Sequence, residues 1–173
     1  MVRVLPAAEL RERIPALAEV LLDCVAGGAS VSFMADFTLD EAARCFTKWA
    51  ADAAAGRRAI LAAFVDGRID GTAQLLLETP PNQPHRADLA KMLVHRRARR
   101  LGLGRALFEA AEAEALRLGR TLLTFDTVTG GSAERLYLSC GCVKVGEIPD
   151  YAMFPNGQWA ATSLFYKRLV TGD

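Results

Sequence analysis

The sequence predicts a mixed α/β fold in which helices cover a central sheet. Three observations support this prediction: apolar residues repeat at helical spacing near the N-terminus, two strand-like runs meet at Asp66-Gly67, and strand-like and helical segments then alternate. The 173 residues are 51% hydrophobic and 24% charged, which is ordinary for a globular protein long enough to bury a core. We therefore expect one domain over residues 1–173.

The first third of the chain is expected to be helical. Apolar residues recur at steps of three and four over residues 10–25, and Gly27-Gly28 ends the pattern. Thr38 followed by Glu41 predicts a capped start of a second helix. The apolar stripe of this helix consists of Ala42, Phe46, Trp49 and Ala53.

The remaining elements follow from runs of apolar residues and from the breakers between them. Residues 59–65 and 68–77 predict a hairpin closed by Asp66-Gly67, and the prolines within 79–84 predict a loop. After the loop we expect a strand over 87–94, a helix over 103–118, a strand over 121–127, a short helix from Ser132 to Gly141, and strands over 143–148 and 159–169.

Composition excludes several classes of protein and site. A net charge of +1 leaves no large basic face for nucleic acid, and no apolar run approaches the roughly 20 residues that span a bilayer. The first six residues lack a secretory layout, so we expect a cytoplasmic protein. The four cysteines match no zinc spacing, and His85 and His95 both adjoin arginines, so no metal is expected.

The basic, glycine-spaced stretch from Val94 to Leu107 is the strongest functional signal. It lies between a predicted strand and a predicted helix, where backbone N–H groups and guanidinium groups bind phosphate. Such a run is also typical of a solvated or nucleic-acid-binding patch, but its position between two buried elements argues against that. A P-loop is excluded because Arg105-Ala106 follows Gly104. A dinucleotide fingerprint is disfavoured by bulky Leu107, although Asp126 lies where a ribose-binding acid would be.

Two motifs resemble those of the GNAT N-acetyltransferases. Arg99, Gly102 and Gly104 match the family's Arg-x-x-Gly-x-Gly loop, and Ala133 to Gly141 match its Ala-x-x-Leu-Tyr-x-x-x-Gly segment. The resemblance covers about residues 59–169. It implies a mostly antiparallel sheet of about seven strands, splayed between the fourth and fifth and flanked by helices. The closer likeness is to the tabtoxin-resistance acetyltransferase branch, through Arg86-Ala87-Asp88, Leu123 to Thr127, Gly146 to Tyr151, and Phe165-Tyr166-Lys167.

The resemblance also implies acetyl-CoA as co-substrate and a set of residues that bind it. Backbone N–H groups at Met92, Leu93 and Val94 are expected to hold the acetyl carbonyl. The expected pyrophosphate loop and its neighbours comprise Arg99, Arg100, Leu101, Gly102, Leu103, Gly104, Arg105 and Ala106. Ser132 is expected near the pantetheine arm, and Arg96 or Arg97 near the 3′-phosphate.

Amine acetylation requires a proton acceptor, and two acids at strand ends are candidates, Asp88 and Asp126. The alternatives are that Asp126 caps the next helix and that Asp88 is an exposed strand-entry charge. Glu78 is a third candidate, expected opposite Asp88 across the strand pair. The resemblance makes Tyr137 the acid for the departing thiolate, whereas its spacing alone indicates a core residue.

We therefore expect direct acetyl transfer from acetyl-CoA to the amine of a small molecule, such as a toxin or amino-acid-like compound. An acyl-cysteine route is disfavoured because neither Cys140 nor Cys142 has a nearby histidine. The alternatives are a non-catalytic acyl-CoA-binding module and an acetyltransferase for protein N-termini or polyamines. A homodimer is common in the family, and the sequence leaves the oligomeric state open.

Overall fold

The fold is a seven-stranded sheet with helices on both faces, and the computed structural model describes residues 1–170. A 3₁₀ turn lies at Arg96–Ala98. In chain order the elements are β1 (Val2–Val4), α1 (Ala7–Ala26), α2 (Leu39–Ala54), β2 (Arg58–Val65), β3 (Arg68–Leu76), β4 (Arg86–Val94), α3 (Leu103–Arg117), β5 (Leu122–Val128), α4 (Ser132–Ser139), β6 (Val143–Met153) and β7 (Trp159–Arg168).

The sheet has the order β1-β2-β3-β4-β5-β7-β6 and is antiparallel except between β4 and β5. Those two strands pair over three positions only, from Arg86 with Leu122 to Asp88 with Thr124. Beyond Asp88 they diverge, so the predicted splay between the fourth and fifth strands is confirmed. Within residues 1–170, no helix is long and apolar enough to cross a membrane.

Local signals explain most element boundaries. Asp66 and Gly67 have φ of 48° and 78°, the pair of positive values that a tight hairpin turn needs. Thr38 and Glu41 form the predicted reciprocal cap of α2. The three residues of β1 were not predicted, because an isolated run of that length carries no periodic signal. β6 also runs five residues beyond its predicted end, to Met153.

Alternating residues of the central strands bury themselves on opposite faces. Leu61 and Ala63 face α3, whose Leu107 and Phe108 are fully buried, whereas Ile60 on the same strand faces α1 and α2. This period of two is what a sheet covered on both faces requires. The sheet is thereby fixed between two helical layers, and its diverging strand edges are left open.

Two bulges shape these edges. β4 carries one extra residue relative to β3 between Ala90 and Leu93, with Lys91 at a φ of 49°. β6 bulges between Ile148 and Ala152, with Asp150 at a φ of 50°. Bulges re-aim side chains and are frequent beside functional sites, and both of these adjoin the opening between β4 and β5.

Candidate active site

A cavity of about 600 Å³ opens where β4 and β5 diverge. Its walls come from both sides of the splay, from the start of α4, and from a loop after α1 that closes over it. The lining residues are Gly28 to Ser32, Leu89 to Leu93, Asp126 to Ala133, Tyr137, Tyr151, Ala152, Phe154 and Ala160 to Thr162. Of the predicted residues, Asp126, Tyr137, Met92, Leu93 and Ser132 are thus brought together, and Asp88 is not.

Tyr137 lies at the inner wall of the cavity and is only 5% exposed. Its ring packs on Phe125, with centroids 4.5 Å apart, and on Phe108 and Phe165. The hydroxyl contacts the sulfur of Met92 at 4.0 Å. Burial, followed by the neighbouring Cys142 and Asp126, raises the pKa of Tyr137 far above its usual value. The phenol therefore stays protonated and can donate a hydrogen bond into the cavity.

Asp126 lies on β5 with its carboxylate exposed to the same cavity. Oδ2 accepts a 2.7 Å hydrogen bond from the Thr162 hydroxyl of β7, and within residues 1–170 Oδ1 has no hydrogen-bond partner. The N-cap of α4 is Gly131, which has no side-chain cap. The helix-capping alternative for Asp126 is therefore excluded, and one carboxylate oxygen remains open to a ligand.

Asp88 and Glu78 lie elsewhere. The Asp88 carboxylate is bound by the Arg86 guanidinium and the Thr124 hydroxyl, at the point where β4 and β5 still pair. The strand register places Asp88 opposite Leu76, so the prediction that Glu78 faces it is wrong. The Glu78 side chain is 76% exposed, with Arg57 3.8 Å away. Both carboxylates lie outside the cavity wall.

The glycine-spaced loop has the geometry of an anion site. Arg100 and Gly102 have φ of 66° and 77°, a conformation that turns successive N–H groups toward one side. In the described chain, the N–H groups from Leu101 to Arg105 find no hydrogen-bond acceptor, and the first bonded one is Ala106, to the Gly102 carbonyl. Unpaired N–H groups at a helix start, with the helix dipole behind them, bind phosphate.

The two glycines of this loop have different structural reasons. Gly102 is needed for its backbone conformation, because a Cβ there would meet no atom within 4 Å. Gly104 is needed for packing, since a Cβ there would approach a Leu136 methyl of α4 to 3.0 Å. The two glycines therefore allow the turn and the close contact between α3 and α4, in addition to any close approach of a ligand to the backbone.

The basic residues of the loop divide into two groups. Arg96 is paired with Asp23 at 2.9 Å, and Arg97 with buried Asp70 at 2.6 Å, so both anchor the loop to the protein. Their predicted contact with a 3′-phosphate would compete with these pairs. Arg99 makes only a 3.5 Å contact with the Val94 carbonyl, and Arg105 bonds the Ser139 hydroxyl at 2.8 Å. No partner of Arg100 is found in residues 1–170.

The edge of β4 that faces β5 is unpaired from Leu89 onward, because the parallel ladder ends at Asp88. Met92 lines the cavity on this edge, Leu93 is buried beneath it, and Val94 leads into the loop. A strand edge without a neighbour presents backbone N–H and C=O groups to a ligand. This edge and the N–H groups of the loop lie on one continuous stretch of chain.

One charged residue of the cavity, Lys91, was not predicted from the sequence. Lys91 lies on the cavity wall at the bulge of β4, the loop 28–32 covers the opening, and Tyr151 reaches it from the bulge of β6. Ser30 ties the loop to β6 through a 2.8 Å bond to the Met153 carbonyl. Lys91 belongs to no motif, and the two bulges, which are invisible in one sequence, bring Lys91 and Tyr151 to the site.

The cysteines show no sign of an activated nucleophile. All four are unpaired thiols. Burial raises the pKa of Cys24 to about 11 and that of Cys142 to about 12, which suppresses the thiolate form. Among residues 1–170, no group of three His, Cys, Asp or Glu side chains is arranged to hold a metal ion.

Comparisons with known proteins agree with this geometry. The model of the acetyltransferase (GNAT) family matches residues 28–142. Ribosomal-protein-alanine N-acetyltransferase from Brucella melitensis is 22% identical, with a TM-score of 0.80 and coverage of 98% of this chain and 99% of that one. An acetyltransferase from Salmonella typhimurium with bound acetyl-CoA is 19% identical, with a TM-score of 0.78 and coverage of 100% and 95%. Phosphinothricin acetyltransferase from Sinorhizobium meliloti, in complex with acetyl-CoA, is 18% identical, with a TM-score of 0.77 and coverage of 98% and 88%.

Proposed function

The chain belongs to the acetyltransferase (GNAT) family and is an acetyl-CoA-dependent N-acetyltransferase, and we propose that it acetylates the amine of a small molecule directly. One observation carries the proposal: the Asp126 carboxylate and the Tyr137 phenol line the same cavity at the divergence of β4 and β5. Acetyl transfer from a thioester to an amine needs one group that accepts the proton of the amine and one that donates a hydrogen bond to the departing sulfur.

The residues present fit acetyl-CoA. The free N–H groups from Leu101 to Arg105 would hold its pyrophosphate, with Arg99 and Arg100 as flanking cations. The unpaired edge of β4 near Met92 would hold the acetyl carbonyl and offset the negative charge that develops on its oxygen. When bound, acetyl-CoA supplies the activated acetyl group as a thioester.

Asp126 is proposed to act on the acceptor amine. Its free Oδ1 would accept a hydrogen bond from the ammonium and draw the departing proton, directly or through a water molecule. Thr162 holds the other oxygen and thereby fixes the direction in which Oδ1 points. The neutral amine nitrogen then forms its bond to the acetyl carbon while the carbon–sulfur bond breaks, and the second proton that the nitrogen loses passes to water.

Tyr137 is proposed to act on the leaving sulfur. A thiol has a pKa near 8.5, so full proton transfer from a phenol with a strongly raised pKa is unfavourable. The phenol instead donates a hydrogen bond that stabilises the developing thiolate, and solvent supplies the final proton of CoA. Raised thiol pKa values at Cys24 and Cys142 support transfer without an acyl-cysteine intermediate.

The identity of the acceptor distinguishes acetylation of small molecules from acetylation of polyamines or of protein N-termini. Polyamines would favour an acidic cavity, whereas Asp126 is the one acid among the described lining residues. The sequence likeness to the tabtoxin-resistance branch places amino-acid-like toxins in the acceptor panel, beside peptides for N-terminal acetylation. We further propose a homodimer in the cytoplasm: the family commonly dimerises, and unpaired cysteines suit a reducing compartment. Light scattering tests the dimer.

A turnover screen with matched variants tests the function. Purified protein is assayed for CoA release with amino acids, toxins, polyamines and peptides, and acetyl-CoA binding is measured by calorimetry. Asp126→Asn should lower turnover by about 10²- to 10⁴-fold with unchanged acetyl-CoA affinity. Asp88→Asn is the control, since that carboxylate lies outside the cavity, and should retain turnover. A protein that binds acetyl-CoA and acetylates no amine in the panel would be a non-catalytic binding module.

A further inference from the structure

The cavity has one positively charged and one negatively charged side chain on its described wall, Lys91 and Asp126. The other lining residues are glycines, apolar residues, hydroxyl-bearing residues and aromatics. The wall therefore presents a pair of opposite charges in an otherwise neutral surface. Asp126 has a place in the proposed reaction, and Lys91 does not.

Lys91 is held toward the cavity by the backbone and by two hydrogen bonds. Its φ of 49° at the bulge is a sparsely populated conformation for a residue with a side chain, which persists only where surrounding structure enforces it. Nζ donates to the Val31 carbonyl at 3.0 Å and to the Ser32 hydroxyl at 3.1 Å. An ammonium group has three donors, so one N–H is left for a ligand.

No carboxylate of residues 1–170 forms an ion pair with Lys91, and its partners are a carbonyl, a hydroxyl and the Phe33 ring, whose centroid lies 5.6 Å from Nζ. Burial and the nearby Arg58 guanidinium lower the pKa of Lys91, while Asp126 and Cys45 act in the opposite direction. A cation that is removed from water and held only by dipoles and by the face of one aromatic ring is unfavourable until an anion joins it. A ligand with an acidic group would supply that anion.

We propose that the acceptor is a zwitterion of the amino-acid type, whose amine is held at Asp126 and whose acidic group is held by Lys91. The acidic group is a carboxylate or another oxoanion. Lys91 is then a specificity-determining residue, and the inference rests on the acetyl transfer proposed above. The competing role for Lys91 is structural, as the tie between β4 and the loop that contains Val31 and Ser32.

Lys91→Gln tests the proposal with paired compounds. Each amino acid of the panel, phosphinic and β-lactam amino acids included, is assayed beside its carboxamide, which keeps the amine and the size but lacks the charge. We expect Lys91→Gln to lower kcat/KM for the acids by about 10- to 100-fold and for the amides by less than about threefold. For each compound we take the ratio of kcat/KM in the wild type to kcat/KM in the variant. The different basicities of the two amines cancel in this ratio.

Two further variants separate charge from loop anchoring. Ser32→Gly removes one anchor of the loop at a position whose φ of 80° suits glycine, and it leaves the ammonium in place. We expect it to change acids and amides by the same factor. Lys91→Arg keeps the charge and should keep the preference for acids, and a melting curve of each variant reports folding.

Binding makes the result independent of turnover. The N-acetyl forms of the same acids and amides are titrated into CoA-loaded protein by calorimetry. Preferential binding of acids, lost in Lys91→Gln, supports recognition of the acidic group by Lys91 even if no acetylation occurs, in which case the proposed reaction alone has failed. If Lys91→Gln weakens acids and amides equally, or if wild type handles amides as well as acids, Lys91 only anchors the loop and the proposal is overturned.

Discussion

Replacing Tyr137 with phenylalanine removes one oxygen atom from the cavity and leaves the aromatic core in place. The ring contacts with Phe125, Phe108 and Phe165 do not involve that oxygen, whose protein contact is the Met92 sulfur at 4.0 Å. So weak a contact contributes less than about 1 kcal/mol to the free energy of unfolding. We expect the melting temperature of Tyr137→Phe to fall by less than about 4 °C.

The effect on turnover should be much larger. A hydrogen bond to a charged group is worth about 1.5–3 kcal/mol, which corresponds to about a 10- to 150-fold decrease in kcat. Because burial keeps the Tyr137 phenol protonated, its ionisation should cause no decrease in wild-type kcat up to about pH 10. Single-turnover release of the CoA thiol, followed with a chromogenic disulfide, measures the transfer without interference from product release.

Tyr166→Phe is the matched control, because Tyr166 lies on β7 and does not line the cavity. It should keep kcat within about twofold of wild type. That result would distinguish the specific effect of the Tyr137 hydroxyl from a general effect of removing a tyrosine hydroxyl. A Tyr137→Phe protein that retains more than a third of the wild-type kcat would refute the role given to this hydroxyl. A fall of more than about 10 °C in its melting temperature would show that the change is structural.

Three other predictions concern the donor site, a buried ion pair and the thiols. Arg100→Ala should raise the Kd for acetyl-CoA about tenfold and leave acetyl-pantetheine, which has no pyrophosphate, unaffected in calorimetry. Asp70→Asn should lower the free energy of unfolding by about 1–3 kcal/mol in urea melts, because buried Asp70 accepts hydrogen bonds from Arg68 and Arg97. Burial acts to raise the pKa of Asp70, but the two guanidinium groups together outweigh it and lower the pKa, so the stabilisation is present above about pH 4 and is lost as the pH falls through the lower folded-state value. With a thiol pKa of about 11, only about one Cys24 in a thousand is ionised at pH 8, so iodoacetamide should label it far more slowly than a free thiol, as mass spectrometry can show.

Each of these has a result that would contradict it. Equal loss of affinity for acetyl-CoA and acetyl-pantetheine would place Arg100 away from the pyrophosphate. If the free energy of unfolding of the wild type does not change between pH 2 and 4, and Asp70→Asn has the same free energy of unfolding as the wild type, that ion pair does not stabilise the fold. Labelling of Cys24 at the rate of free cysteine in the folded protein would mean that the thiol is more exposed than its 2% suggests.

Signals confined to a few neighbouring residues were sufficient to predict much of the fold. The hairpin turn at Asp66-Gly67 and the cap formed by Thr38 and Glu41 are properties of short segments, and the structure confirms both. Tyr137 needed the family resemblance, because helical spacing alone makes it a core residue, and in the structure it is both buried and at the cavity wall.

Properties that depend on distant partners could not be predicted in the same way. The prediction that Glu78 lies opposite Asp88 is wrong because it depended on the register between β3 and β4, which the prolines of the connecting loop do not determine. Arg96 and Arg97 look like free cations in the sequence, and only the fold brings Asp23 and Asp70 to them. Lys91 reaches the cavity through a one-residue bulge, for which no local pattern is known.

The three-residue ladder between β4 and β5 divides the sheet into two smaller sheets, β1 to β4 and β5 to β7, joined at a short seam. Acetyl-CoA bound along both open edges would form hydrogen bonds where those between β4 and β5 are missing. It would then stabilise the sheet as well as react. Ligand binding is linked to the stability of the state that binds. Amide hydrogen exchange should therefore slow in β4 and β5 together when acetyl-CoA binds, and in proportion to occupancy rather than to turnover.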